Sequence, residues 1–147
     1  MPITRAEIED AVLAALKASP LRDACRRIDT YAGEFEAEID QLSALAPAVF
    51  VVMGGGSFTP SGGTVMERGI TFTVYVVARS LRGNNEARRD ADAGSYAMLE
   101  IVEAALSGTT LGLDIDTVIP AGDAPVLNSS RLSVYSIDFQ TGFEKTL

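Results

Sequence analysis

The sequence contains no histidine, no tryptophan and a single cysteine. Without histidine, neither a Ser-His-Asp nor a Cys-His pairing of nucleophile and base can be built. The usual transition-metal ligands are nearly gone as well, because imidazole and thiolate supply most of them. Cys25 has no partner for an internal disulfide, which suits a reducing cytoplasm. Its neighbours Arg26 and Arg27 are of the kind that lower a thiol pKa, but a lone thiol here reads as packing. No apolar run approaches the roughly 18 residues of a membrane-spanning helix. The opening MPITRAEIED is charged and amphipathic, so no secretory signal is expected. Asn128-Ser129-Ser130 fits a glycosylation acceptor in form and carries no meaning without secretion.

What is present describes a globular chain. Its 147 residues are 47% hydrophobic and 22% charged, enough for one domain with its own core. The net charge is −8 and unevenly placed. Residues 1–89 carry 11 acids and 10 bases, net −1, whereas residues 90–147 carry 9 acids and 2 bases, net −7. An acidic chain repels phosphate backbones, so specific nucleic-acid binding is not expected. The acidity serves solubility, or a surface along which DNA slides without sticking.

The strongest periodicity lies at Gly69–Ser80. There Ile70, Phe72, Val74, Val76 and Ala78 share one face, and Thr71, Thr73, Tyr75, Val77 and Arg79 the other. Before it, Pro47–Met53 is a near-continuous apolar run, the pattern of a strand covered on both faces. After it, Leu132–Phe143 alternates again, with Tyr135, Ile137, Phe139 and Phe143 opposite Val134, Ser136, Asp138 and Gln140. A weaker strand is expected at Arg26–Tyr31 and another at Asp116–Pro120, followed by a turn through Ala121-Gly122-Asp123.

Helices are expected at Thr4–Ser19, Gly33–Leu45 and Glu86–Leu106. Thr4 and Glu7 form a capping box, and Ile8, Val12, Leu13 and Leu16 mark one face. In the second helix Phe35, Ile39 and Leu42 recur at helical spacing against the acids Glu34, Glu36, Glu38 and Asp40. The third, about six turns long, buries Met98, Leu99, Ile101, Val102, Ala105 and Leu106 and stops at Ser107-Gly108. Gly94 inside it costs up to ~1 kcal/mol relative to alanine, so it predicts a close packing contact.

Glycines cluster in residues 54–66, with Phe58 among them, and predict a flexible, exposed loop between two strands. It is not a nucleotide-binding loop. The dinucleotide spacing would need glycine where Thr59 stands, and GxxxxGK is absent. Catalytic patterns fare no better. No GxSxG elbow occurs. Asp114-Ile115-Asp116-Thr117-Val118 fits the DxDx(T/V) motif of aspartyl-nucleophile phosphatases, but only 29 residues follow it, too few for the later motifs those enzymes need. No cofactor, no metal site and no catalytic residue is expected. The fold class expected is α+β: a single mixed, mainly antiparallel sheet with helices packed on one face, in the order α-β-α-β-β-α-β-β.

That order, with three local patterns, resembles a known family. The patterns are PAVFVVM with trailing glycines, VYVVARS followed by a short turn and N-x-x-x-R-R, and the closing Y-x-I-x-F of Tyr135, Ile137 and Phe139. Together they resemble the Mu-type phage tail-terminator or minor tail protein family, and the layout is similar to the minor tail protein U of lambda-like phages. The resemblance spans nearly the whole chain and implies one terminator-like domain over 1–147. It implies a ring, of six subunits, that caps the tail tube, stops its polymerisation and joins it to a neck or head-completion protein. DNA would pass through an acidic lumen. The protein would reside in the virion tail, and in the host cytoplasm during assembly. On this reading Arg79, Arg82, Arg88 and Arg89 meet Asp114, Asp116 or Asp123 of the next subunit, unless they are solvated or pair within one chain. Phe58 then touches tube or neck. A neck or head-completion ring is the nearest alternative, and a monomeric ligand-binding α+β domain the one from another class.

Overall fold

The computed structural model describes residues 3–31, 44–80, 82–90 and 93–147. Within them the chain runs α1 (Arg5–Lys17), α2 (Leu21–Ala24), β1 (Arg27–Thr30), β2 (Ala48–Gly62), β3 (Val65–Arg79), α3 (Asn84–Arg89), α4 (Ser95–Leu106), β4 (Ile119–Asn128) and β5 (Leu132–Thr146). The strands form one sheet in the order β1-β2-β3-β5-β4. β1 runs parallel to β2, and every other pair is antiparallel. The fold is therefore α+β with a mixed, mainly antiparallel sheet.

The alternation of β3 decides where the core sits. Ile70, Phe72, Val74, Val76 and Ala78 are all buried, as their period of two requires. They meet Val49 and Val51 of β2, Ile137 and Phe139 of β5, and the buried stripes of two helices. The Phe72 and Phe139 rings stack with centroids 5.3 Å apart. α1 contributes Ile8, Val12 and Leu16, and α4 contributes Met98, Val102 and Leu106. Each such side chain contributes roughly 1.5–3 kcal/mol by leaving water. On the opposite face, Ala48, Phe50, Val77, Leu132 and Val134 form a smaller buried cluster. Residues 48–51 are thus buried on both faces, which explains their continuous apolar run.

α1 begins as its sequence dictates. The Thr4 hydroxyl accepts from the Glu7 N–H at 3.1 Å, and the Glu7 carboxylate accepts from the Thr4 N–H at 2.8 Å. The short strand expected at Arg26–Tyr31 is β1. Just before it, Leu21–Ala24 make one turn of helix, α2. The helix expected at Gly33–Leu45 lies, through residue 43, outside the described residues.

Three expectations are corrected. The helix expected at Glu86–Leu106 is two helices. The chain leaves α3 at Asp90 and enters α4 through Gly94, whose backbone is extended. A Cβ at Gly94 would lie 2.6 Å from the Asp90 nitrogen and oxygen and 2.7 Å from the Arg88 oxygen. Close approach of the two helices, not helix continuation, is what Gly94 serves. The Ser95 and Ser133 hydroxyls then pin the start of α4 to β5 by a buried 3.0 Å hydrogen bond.

The glycine-rich stretch at 54–66 is not a loop. β2 continues to Gly62, turns through Gly63-Thr64 and returns as β3, with pairs from Gly56↔Ile70 to Gly62↔Val65. The third correction concerns β4. It starts at Ile119 rather than Asp116, and the expected turn at Ala121–Asp123 lies inside it. Its residues are mostly exposed, so the ladder to β5 holds it, with register shifts near Pro120 and Pro125. Proline is tolerated there because β4 is an edge strand.

Candidate functional site

The sheet presents three surfaces that the core does not use. The first is an arm. Beyond residue 54, β2 carries no β1 partner and pairs only with β3, while β3 pairs with β5 out to Val65↔Thr146. The arm is thus three strands wide. It leaves the body at a bulge between Met53 and Gly56. A Cβ at Gly56 would fall on the Gly69 carbonyl oxygen, so this crossing requires glycine. The Thr71 hydroxyl donates to the Gly55 carbonyl at 2.9 Å and fixes the bulge.

Phe58 stands on the arm and is 55% exposed. Its ring is not loose. The Arg68 guanidinium lies 4.2 Å from the ring centroid, and Arg68 Nη1 donates to the Ser57 and Gly69 carbonyls at 3.2 and 3.0 Å. Cation–π contact of this kind contributes about 0.5–1 kcal/mol at an exposed site. An aromatic ring is thereby held out towards water at little further cost in side-chain entropy.

The second surface is the turn after β3. Arg79, Arg82 and Arg89 are exposed there, and Arg88 is half-buried. The ion pair present among the described residues is Arg27–Asp29, at 3.3 Å, and involves none of the four. Arg88 is nonetheless held firmly. Its Nε donates to Asn84 Oδ1 at 2.8 Å and its Nη1 to Tyr96 Oη at 3.0 Å. Asn84 in turn donates through Nδ2 to the Ser129 and Leu132 carbonyls at 2.9 and 3.1 Å. The Tyr96 ring meets Tyr135 edge to face, with centroids 5.5 Å apart. The Tyr135 hydroxyl, helped by Arg88, pulls the Tyr96 pKa below its ordinary value, while the Tyr96 hydroxyl and burial push Tyr135 up.

The third surface is acidic. The Asp116 N–H donates to the Gly142 carbonyl at 2.7 Å, and the Thr141 hydroxyl donates to the Asp116 carbonyl at 2.7 Å. These bonds set Asp116 beside Glu67 and Glu144, which face each other across β3 and β5. A hydrogen bond with Asp116, some loss of hydration and the charges of Asp116 and Glu144 raise the Glu67 pKa. Asp114 is exposed nearby in sequence, whereas Asp123 sits on β4 opposite Ile137, away from the other two.

The expected arginines therefore share one end of the sheet, and Asp116 lies at the other. Gly69, level with Gly142, and Arg79 are ten residues apart on β3, about 33 Å along a strand. Asp116 cannot reach these arginines within one chain. Tyr96, Tyr135, Asn84, Glu67, Glu144 and Arg68 were not singled out as site residues from sequence. The N-x-x-x-R-R spacing holds the Asn84–Arg88 contact, but the meeting with Tyr96 depends on the break at Gly94.

Between arm and body lies an open groove of about 590 Å³, lined by Gly55, Gly56, Thr71, Asp116, Ile119 and Gln140 among others. Its hydroxyls at Thr71 and Thr141 are committed to carbonyls of the chain itself. Among the described residues, no set of three or more acidic or thiol groups is arranged to hold a metal ion. No helix among them is long and apolar enough to cross a membrane. Cys25 is packed against Met98, with Sγ and Sδ 3.6 Å apart, and burial pushes its thiol up to about 11. The arginines beside it in sequence do not activate it.

The family model described as Bacteriophage Mu, Gp37 matches residues 4–144. No curated protein matches the chain.

Proposed function

The chain belongs to the Bacteriophage Mu Gp37 family and is a phage structural protein, and from that premise we propose that it is a tail terminator. In this role copies of the chain close into a ring on the end of the tail tube. The ring stops tube polymerisation and offers the neck a joining surface. The work is assembly rather than catalysis, and the protein resides in the tail of the virion.

The observation that carries this reading is the placement of charge. Four arginines stand at one end of the sheet and the Glu67–Asp116–Glu144 carboxylates at the other, about 33 Å away along β3. Complementary patches on opposite ends of one subunit favour head-to-tail contact, and such contact closes into a ring when the rotation allows. The number six comes from the resemblance to terminators. The arm supplies a second element of the reading: three paired strands with an aromatic ring at their surface suit contact with the tube or the neck.

The groove of about 590 Å³ favours a second reading, a small ligand-binding domain, since its size is that of ordinary ligand sites. Light scattering over a range of concentrations separates the two. The terminator reading expects an assembly of six times 15.5 kDa. It also expects that adding the protein to growing tail tubes leaves capped tubes of limited length under the electron microscope. A chain that stays monomeric and leaves tube growth unchanged would overturn it.

A further inference from the structure

We infer that the Arg88–Tyr96–Tyr135 cluster is one half of a subunit contact, and that its occupant is the Glu67–Asp116–Glu144 carboxylate cluster of a second copy of this chain. The inference rests on the ring reading and names the residues that would close the ring.

The cluster has the chemistry of an interface anchor. Tyrosine and arginine dominate the energetics of protein contacts, because they bury large surfaces while keeping polar tips. Here they are set in place before any partner arrives. Arg88 is fixed by Asn84, which is itself tied to the Ser129 and Leu132 carbonyls. Tyr96 is held by Arg88 and by the edge of Tyr135, yet it remains 38% exposed. Groups already ordered lose little freedom on binding, so more of the contact energy appears as affinity. Arg89 flanks the cluster, is exposed and adds a further cation.

Charge complementarity identifies the occupant. The Arg88 N–H groups not engaged by Asn84 and Tyr96, with the Tyr96 hydroxyl beside them, suit carboxylates. Glu67, Asp116 and Glu144 form a set of like charges whose mutual repulsion a cation would relieve. The β3–β5 ladder holds the two clusters at opposite ends of a fifteen-residue pairing, so neither can satisfy the other within one chain. A second copy carries both halves, and each copy then offers one cluster forward and one back. Phosphate-bearing partners fit less well, since the chain as a whole carries −8.

The test is a charge reversal read by sedimentation and light scattering. One variant carries Arg88→Glu and Arg89→Glu, the other Asp116→Arg and Glu144→Arg. Each is expected to stay monomeric where the wild type assembles, with the apparent dissociation constant raised roughly tenfold or more. Mixed in equal amounts, the two variants are expected to assemble again, because each reversed end now meets its complement. Recovery on mixing also shows that neither variant has simply misfolded. For a contact that leaves the Arg88–Asn84 bond untouched, Arg89→Glu with Tyr96→Ala is the second basic-end variant, and it is expected to weaken assembly in the same direction. Wild-type rings that both reversal variants also form would overturn this contact and leave the ring reading standing. Variants that lose assembly and do not regain it on mixing would overturn the pairing of these two clusters. A wild type that never associates, either in solution or on growing tail tubes, would overturn the ring reading, and this contact with it.

Discussion

Cys25 illustrates how a residue's neighbours in space override its neighbours in sequence. Arg26 and Arg27 follow it in the chain, but the thiol turns inward against Met98. Burial raises its pKa from an ordinary 9.0 to about 11. In the folded chain the thiol keeps its proton at pH values where the unfolded chain has lost it. Stability owes nothing to this group below about pH 9 and falls as pH rises from there towards 11. An alkylating reagent at pH 8 is therefore expected to label half-buried Cys25 more slowly in the folded chain than in the unfolded one, because less of the thiol is ionised. Equal labelling rates in buffer and in strong denaturant would contradict this. The glycines of β2 offer a matched pair at the same scale. A Cβ at Gly56 would strike the Gly69 carbonyl, whereas a Cβ at Gly55 meets nothing within 4 Å. Gly56→Ala should cost about 1–3 kcal/mol in urea unfolding. Gly55→Ala should stay within about 0.5 kcal/mol of wild type. Equal effects would mean that the bulge does not need its glycine.

At the scale of elements, the arm and the broken helix are the places where local pattern misleads. Glycine and proline in residues 54–62 argue for a loop on propensity alone, and propensity is a weak guide to strands. The ladder to β3 makes the segment a strand, and β5 extends alongside to residue 146. Phe58 then sits on a supported surface rather than at the tip of a loop. Phe58→Ser is expected to lower the unfolding free energy measured in urea by no more than about 1 kcal/mol, the scale of the lost contact with Arg68, because over half of the ring is already in water. It is also expected to impair the joining of tails to heads, scored by counting joined particles. Aggregation or clear loss of stability would instead place Phe58 among the structural side chains. The break at Gly94 has a similar origin. A hydrophobic stripe can run on through two helices, since Ala87 and Met98 both face the core, and the stripe alone does not mark the junction between them.

For the whole molecule, the question is how charge and topology combine. The C-terminal 58 residues carry most of the negative charge, and they include Asp116 and Glu144 of the acidic end of the sheet. In a ring with an acidic lumen, duplex DNA should pass without being retained. The expected outcome is no shift of duplex DNA by the assembled protein in a gel at low salt, where electrostatic binding would be strongest. Retention of DNA under those conditions would point to a basic channel and count against the acidic lumen that the family resemblance implies. The sheet order also matters here. β3 and β5 lie side by side over fifteen residues, so one rigid ladder sets the distance between the basic and acidic ends. A contact surface on each end can then be positioned relative to the other without relying on a loop.

The sequence by itself determined what depends on neighbours close in the chain. The capping box of Thr4 and Glu7, the period-two faces of residues 70–78 and 132–143, and the double burial of residues 48–51 were all legible. In each case the side-chain direction repeats with the local geometry. The α+β class followed from the order of these elements, and the family from the resemblance of that order and three local patterns to a known one. Only the tertiary structure decided that residues 54–62 form part of a three-stranded arm, that Gly94 separates two helices, and that Arg88, Tyr96 and Tyr135 meet while Glu67, Asp116 and Glu144 gather at the far end. Those features rest on ladder hydrogen bonds and backbone contacts between segments distant in the chain, and no periodicity within a single segment records what another segment brings against it.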